Sequence, residues 1–204
     1  MAGDPLRRAL SRRASGTSLL FLGQFLESSR HLDEGIEIDD AAVAAAGCGS
    51  PRLFLYGESA GVMCRLYSAW DLWFLGFPDR AVERVEAGLA LARQLSHAHV
   101  LAFALSFATL IHLFRRDYAA ALRRAEETIK LSTDHGFTQW RFFGTMCRGR
   151  ARAGLGQHVD GIAELCTGLA GWERIGARLS ATMWGDPLQM HMPKPGRSVR
   201  HSEP

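Results

Sequence analysis

The 204-residue chain has no excess of one charge sign, no C-x-x-C cysteine pair, and no apolar run long enough to cross a bilayer. With 24 basic and 21 acidic residues the net charge is +3 and the pI near 8.9, so the charge balance demands no polyanionic partner, nucleic acid included. Cys48, Cys64, Cys147 and Cys166 have no nearby histidine, which excludes a zinc ribbon or redox motif and fits reduced thiols in the cytoplasm. The apolar stretch from Val100 to Phe114 is broken by Ser106, Thr109 and His112 and falls short of the ~20 residues of a membrane helix. There is no Gly-x-x-x-x-Gly-Lys phosphate loop, and no cofactor is expected. Arg7, Arg8, Arg12 and Arg13 with Ser11 and Ser15 have the composition of a transit peptide, but Asp4 and Pro5 suit one poorly.

What is present is a repeat. The phrase Gly76-Phe77-Pro78-Asp79-Arg80-Ala81-Val82 recurs as Arg116-Asp117-Tyr118-Ala119-Ala120-Ala121-Leu122 and as Gly156-Gln157-His158-Val159-Asp160-Gly161-Ile162, each time after 40 residues. A fourth copy, Gly23-Gln24-Phe25-Leu26-Glu27-Ser28-Ser29, lies 53 residues before the first. A small residue precedes each turn (Gly16, Ala69, Thr109, Gly149), and two more follow it (Ser28, Ala81, Ala121, Gly161, then Gly35, Gly88, Thr128, Gly168). Helices that cross closely need side chains small enough for the backbones to approach.

Between repeats the period is helical. From Ala81 to Leu95 apolar residues at 81, 82, 85, 89 and 92 make one face, with Arg80, Glu83, Arg84, Glu86 and Arg93 on the other. The spacing predicts first helices near 8–22, 60–75, 98–115 and 138–154, and partners near 25–38, 78–95, 118–134 and 158–174. This predicts an all-α fold, an α-solenoid of about four antiparallel helix pairs over residues 8–184. A flexible start is expected over 1–7. Three prolines, Pro187, Pro193 and Pro195, and the loss of periodicity predict a disordered tail over 185–204.

The small-turn-small-small pattern resembles the tetratricopeptide repeat, with a period of 40 instead of 34 and no closing proline. Beyond that, Tyr56-Gly57 with Gly61-Val62, Leu75-Gly76-Phe77-Pro78-Asp79, Leu95-Ser96-His97, Phe114-Arg115-Arg116, Gly136-Phe137, Gly161-Ile162, and Trp172 with Gly176-Ala177 look like the repeat tail of bacterial signalling proteins joining a nucleotide cyclase to a signal-transduction ATPase. That resemblance implies a detached regulatory tail in the cytoplasm. Its implied partner is another protein or another domain of a parent chain. Neither end carries a clear polar capping helix, so self-association is expected.

One motif points elsewhere. Gly57-Glu58-Ser59-Ala60-Gly61 matches the Gly-x-Ser-x-Gly elbow of carboxylesterases, with Ser59 as nucleophile. That chemistry needs a strained strand-to-helix turn, a histidine base and a second oxyanion donor, and no His-Gly-Gly-type segment lies upstream. The alternative is Ser59 as the N-cap of a helix beginning at Ala60. No histidine stands four residues from another, so capping and buried roles are expected for His97, His99 and His112. Trp70, Trp73, Phe74, Phe77, Trp140, Phe142 and Phe143 are expected in packing between repeats. Arg141, Arg148 and Arg152, spaced i, i+7 and i+11, form one stripe. If it lines the concave groove, it is a candidate receptor for a carboxylate-rich peptide, or in a third reading for nucleic acid.

Overall fold

The computed structural model describes residues 4–46, 54–55 and 58–176. The tail expected over 185–204 and Gly57 of the elbow motif lie outside the described residues. Four antiparallel pairs follow one another: α1 (Pro5–Phe21) with α2 (Phe25–Ala46), α3 (Ala60–Phe74) with α4 (Pro78–Gln94), α5 (Ala98–Phe114) with α6 (Tyr118–Asp134), and α7 (Thr138–Gly154) with α8 (His158–Arg174).

Most boundaries agree with the periodicity within a residue or two, and the first repeat departs at both ends. Helix α1 starts at Pro5, three residues before the predicted start, because Asp4 accepts the Leu6 amide at 3.0 Å and proline needs no donor in the first turn. Helix α2 runs on to Ala46, eight residues past its predicted end. The added turns are anchored to α3: Asp40 takes the Arg65 guanidinium at 2.6 and 2.8 Å, and Asp39 is buried against Gly61.

The repeated phrase marks a conformational need. Gly23, Gly76, Arg116 and Gly156 all have positive φ, between 62° and 91°, in the turn from first to second helix. Each is followed by a six-to-one hydrogen bond closing the helix end, such as Phe77 N–H to the Leu72 carbonyl at 2.8 Å and Asp117 N–H to the His112 carbonyl at 2.9 Å. Arg116 holds the left-handed conformation without being glycine.

The small positions are where the helices touch. A Cβ on Gly149 would lie 2.5 Å from the Gly161 carbonyl oxygen, and one on Gly168 2.6 Å from Met146 Cγ. Ala69, Ala81, Ala121 and Thr128 are fully buried at the equivalent crossings. One apolar cluster runs from Leu20 through Val62, Leu89, Leu105, Ile111 and Met146 to Trp172, so the four pairs share a single continuous core.

The pairs form two layers. Helices α1, α3, α5 and α7 pack directly on one another in sequence, which makes them the inner layer. The second helices are joined across the outer seam by long charged side chains. Asp33 on α2 holds Arg84 on α4, which also donates to Ser68 at 3.1 Å. One repeat later Glu86 on α4 takes Arg124 on α6 at 3.0 Å and His112 on α5 at 3.3 Å, and hydrogen bonding from His112, with Arg124 beside it, holds the Glu86 carboxyl below its usual range.

Candidate functional site

The segment before α3, which lies in the long connection between the predicted helices 25–38 and 60–75, is extended where it is described. Strands β1 (Phe54–Leu55) and β2 (Glu58–Ser59) pair antiparallel, with Phe54 opposite Ser59. This is a two-residue hairpin closed on itself, not the layered sheet a hydrolase elbow projects from. Ser59 has φ −105° and ψ 116°, ordinary extended backbone. Its buried hydroxyl accepts the Val62 amide at 3.5 Å as the N-cap of α3. Gly61 has its own reason to lack a side chain, since a Cβ there would sit 2.0 Å from Asp39 Oδ2.

The arginine stripe faces the outer layer. Arg148 Nε donates to Glu164 Oε2 at 2.9 Å and Arg152 Nη1 to Glu164 Oε1 at 2.5 Å, so both reach for α8 and not for the inner face. The seam explains this. Arg84 and Arg124 recur 40 residues apart, and the next residue in that register is Glu164. Where the two preceding repeats carry an arginine this one carries an acid, and two arginines of its own pair, Arg148 and Arg152, take it. Arg141, at the exposed end of the stripe, lies over the Phe142 ring at 4.9 Å, with Arg174 over the same ring at 5.9 Å.

The inner face is aromatic. Tyr67 on α3 meets Phe103 and Phe107 on α5 edge to face at 6.1 and 5.1 Å, Phe107 stacks on Trp70 at 4.6 Å, and Phe103 meets Trp140 on α7 at 5.1 Å. The rings thus run unbroken across three first helices. Tyr67 and Phe103 are half-buried, and His99 is exposed beside them. Trp140 Nε1 donates to His99 Nε2 at 3.2 Å, so that nitrogen accepts, the neutral ring carries its proton on Nδ1, and burial lowers the His99 pKa in support of that form.

At the α1 end of this face Arg13 Nη2 forms an ion pair with Glu58 Oε2 at 2.9 Å. The pair acts on the groove: burial raises the Tyr67 pKa, and the charges of Arg13 and Glu58 also bear on it. Of this constellation the periodicity singled out Trp140 and His99 only for packing and capping roles. Tyr67 and Phe103 carry no local signal, and Arg13 and Glu58 stood out only within the arginine-rich start and the elbow motif, because the contacts of each lie on other elements. The one available hint was that aromatics recur at positions 67, 103, 107 and 140 on successive first helices.

Among the described residues no helix is long and apolar enough to cross a membrane. No family model matches the chain, and no curated protein matches it in sequence. Its fold is similar to that of a solved structure described as a Rap protein complexed with competence and sporulation factor, with a TM-score of 0.67 and 16% identity over 84% of this chain. The match covers 45% of the Rap chain, so this chain spans less than half the length of that relative. At this identity the likeness concerns architecture: the chain has a tetratricopeptide-like, all-helical repeat fold.

Proposed function

We propose that the chain is a non-catalytic regulatory scaffold in the cytoplasm, whose inner aromatic face receives a peptide or helical segment from another protein or from another domain of a longer parent chain. The observation that carries this reading is the unbroken row Tyr67, Phe103, Phe107 and Trp140, in which Phe107 and Trp140 are buried and hold Tyr67 and Phe103 half-exposed on the inner layer, with hydrogen-bonding groups at its edge. The Rap structure supports it as a relative of like architecture that is complexed with a factor. The phrases shared with repeat tails of cyclase–ATPase signalling proteins support a detached regulatory module. Buried free thiols at Cys64 and Cys147 fit a reducing compartment.

Two other readings are weaker on the geometry. For a hydrolase, the Ser59 hydroxyl is buried and engaged with a backbone amide. For a nucleic-acid or carboxylate receptor on the stripe, Arg148 and Arg152 are already engaged by the one carboxylate of Glu164, which leaves Arg141 as the exposed member. The test is to pan a displayed random-peptide library on the full chain and re-measure the selected peptides on variants. Phe103→Ala is expected to weaken them by at least about tenfold, as loss of a central aromatic anchor does. Glu83→Ala on the outer layer should leave them unchanged. Peptides indifferent to Phe103→Ala, or an esterase activity lost in Ser59→Ala, would overturn the reading.

A further inference from the structure

Arg13 is bound in a way that leaves it incomplete. It lies on the inner side of α1, about one quarter exposed, and its guanidinium is joined to Glu58 through Nη2 alone. Its Nε is buried and has no hydrogen-bond partner. A buried donor left unmade is uncommon, and a guanidinium offers its Nε and one Nη side by side, spaced to take both oxygens of one carboxylate. Glu58 does not use that edge.

The place is open to a ligand. A cavity of about 630 Å³ beside the pair is lined by Asp4, Arg7, Leu10, Arg13, Ala14 and Glu58, of a size suited to part of a peptide. Its charges are Arg7 and Arg13 against Asp4 and Glu58, and Arg7 leans toward Asp4 at 3.7 Å. Glu58 is the movable partner. Its side chain is 37% exposed, and it sits on a two-residue strand whose sheet partner among the described residues is Phe54–Leu55. Arg13 by contrast stands on a 17-residue helix. The next residue, Ser59, stays fixed as the cap of α3, so Glu58 can turn to water without unravelling that helix. The pair lies within electrostatic reach of the aromatic row, since the charge of Glu58 bears on both Tyr67 and His99.

We propose that Arg13 is the anchor for a carboxylate of the peptide that occupies the inner face, and that Glu58 is the chain's own carboxylate, covering Arg13 until the ligand displaces it. This rests on the peptide-binding reading above and adds the chemistry of its partner: an acidic side chain or a free C-terminus at one end, apolar or aromatic residues along Tyr67, Phe103 and Trp140. Binding exchanges a carboxylate ion-paired through Nη2 alone for one that spans Nε and Nη2. The net charge at the anchor is unchanged while Glu58 passes into water.

The test uses the full chain and a fluorescein-tagged hexapeptide library, in which one set carries carboxylates and a matched set carries the same sequences as carboxamides. The carboxylate set is expected to bind and the carboxamide set to bind at least about tenfold more weakly, as loss of a charge-assisted pair does. Glu58→Gln should tighten the carboxylate set by about fivefold, the competition that one half-exposed ion pair can offer. Arg13→Gln should abolish the preference between the two sets. Arg13→Lys keeps the charge but not the fork, and should give an intermediate loss, which separates anchoring from mere folding of α1. Arg8→Gln, on the α2 side of the same helix, should change nothing. Weaker or unchanged binding in Glu58→Gln, or equal affinity for both sets, overturns the anchor. If the peptides depend on Phe103 but ignore Arg13 and Glu58, the inference alone fails. If neither set binds any variant, the scaffold reading fails with it.

Discussion

A proton stored between the first three helices should make the chain less stable as the medium becomes alkaline. Asp71 on α3 is fully buried, and Ser28 Oγ lies 2.6 Å from its Oδ2 and 2.9 Å from the Gly16 carbonyl oxygen on α1. Two acceptors face one hydroxyl, which has a single hydrogen to give. If Asp71 is neutral the relay closes: the carboxyl donates to Ser28, and Ser28 donates to Gly16. If it is ionised, one acceptor goes without, and Oδ1 already has no partner. Burial raises the Asp71 pKa from 3.8 to about 7, against the Ser28 hydrogen bond, with nearby Asp33 adding to the rise.

The folded state therefore keeps a proton that the unfolded chain releases near pH 3.8. The stabilisation is full below that pH and is lost as pH rises through about 7. The interval of about three pH units at about 1.4 kcal/mol each corresponds to roughly 4 kcal/mol in all, of which about 2–3 kcal/mol falls between pH 5 and pH 8. Asp71→Asn supplies a permanent donor to Ser28 and removes the titration. Urea unfolding of both proteins from pH 5 to 8.5, read as a difference so that the histidines cancel, should show the variant gaining on the wild type as pH rises, by about 2 kcal/mol at pH 8. A difference independent of pH, or a variant that loses ground at high pH, would refute the relay.

Two further outcomes follow from burial and close approach. Burial pushes the Cys64 thiol up to about 12 and the fully buried Cys147 thiol beyond that, whereas Cys166 is exposed. Since the thiolate is the reactive form, Ellman's reagent at pH 8 should modify Cys166 more than about a hundredfold faster than either, measured by mass spectrometry of the peptides; comparable rates would contradict the packing. Gly149→Ala should destabilise by roughly 1–3 kcal/mol in urea despite alanine's better helix propensity, because the new Cβ meets the backbone of α8 at 2.5 and 2.6 Å. A stabilised variant would mean that α7 and α8 do not cross there.

The repeat itself was legible because the causes are local or periodic. A left-handed turn residue favours glycine, a close crossing excludes large side chains, and an amphipathic face recurs every 3.6 residues, so each leaves its mark at fixed spacing in the chain. Gly76 and Gly156, Gly149 and Gly168, and the ends of α4 to α8 could be placed from those marks. The same logic placed Ser59 as a cap, since capping needs only the next three residues.

What the sequence could not disclose were relations between residues that share no register. Ser28 and Asp71 are 43 positions apart, Arg13 and Glu58 45, and neither pair recurs in another repeat, so no period reports them. The stripe of Arg141, Arg148 and Arg152 was visible as spacing. Its direction was settled by Glu164, an acid standing where the two earlier repeats carry arginine. Helix periodicity states which side chains share a face, while the partner opposite that face depends on how the pairs stack, and stacking is a property of the whole array.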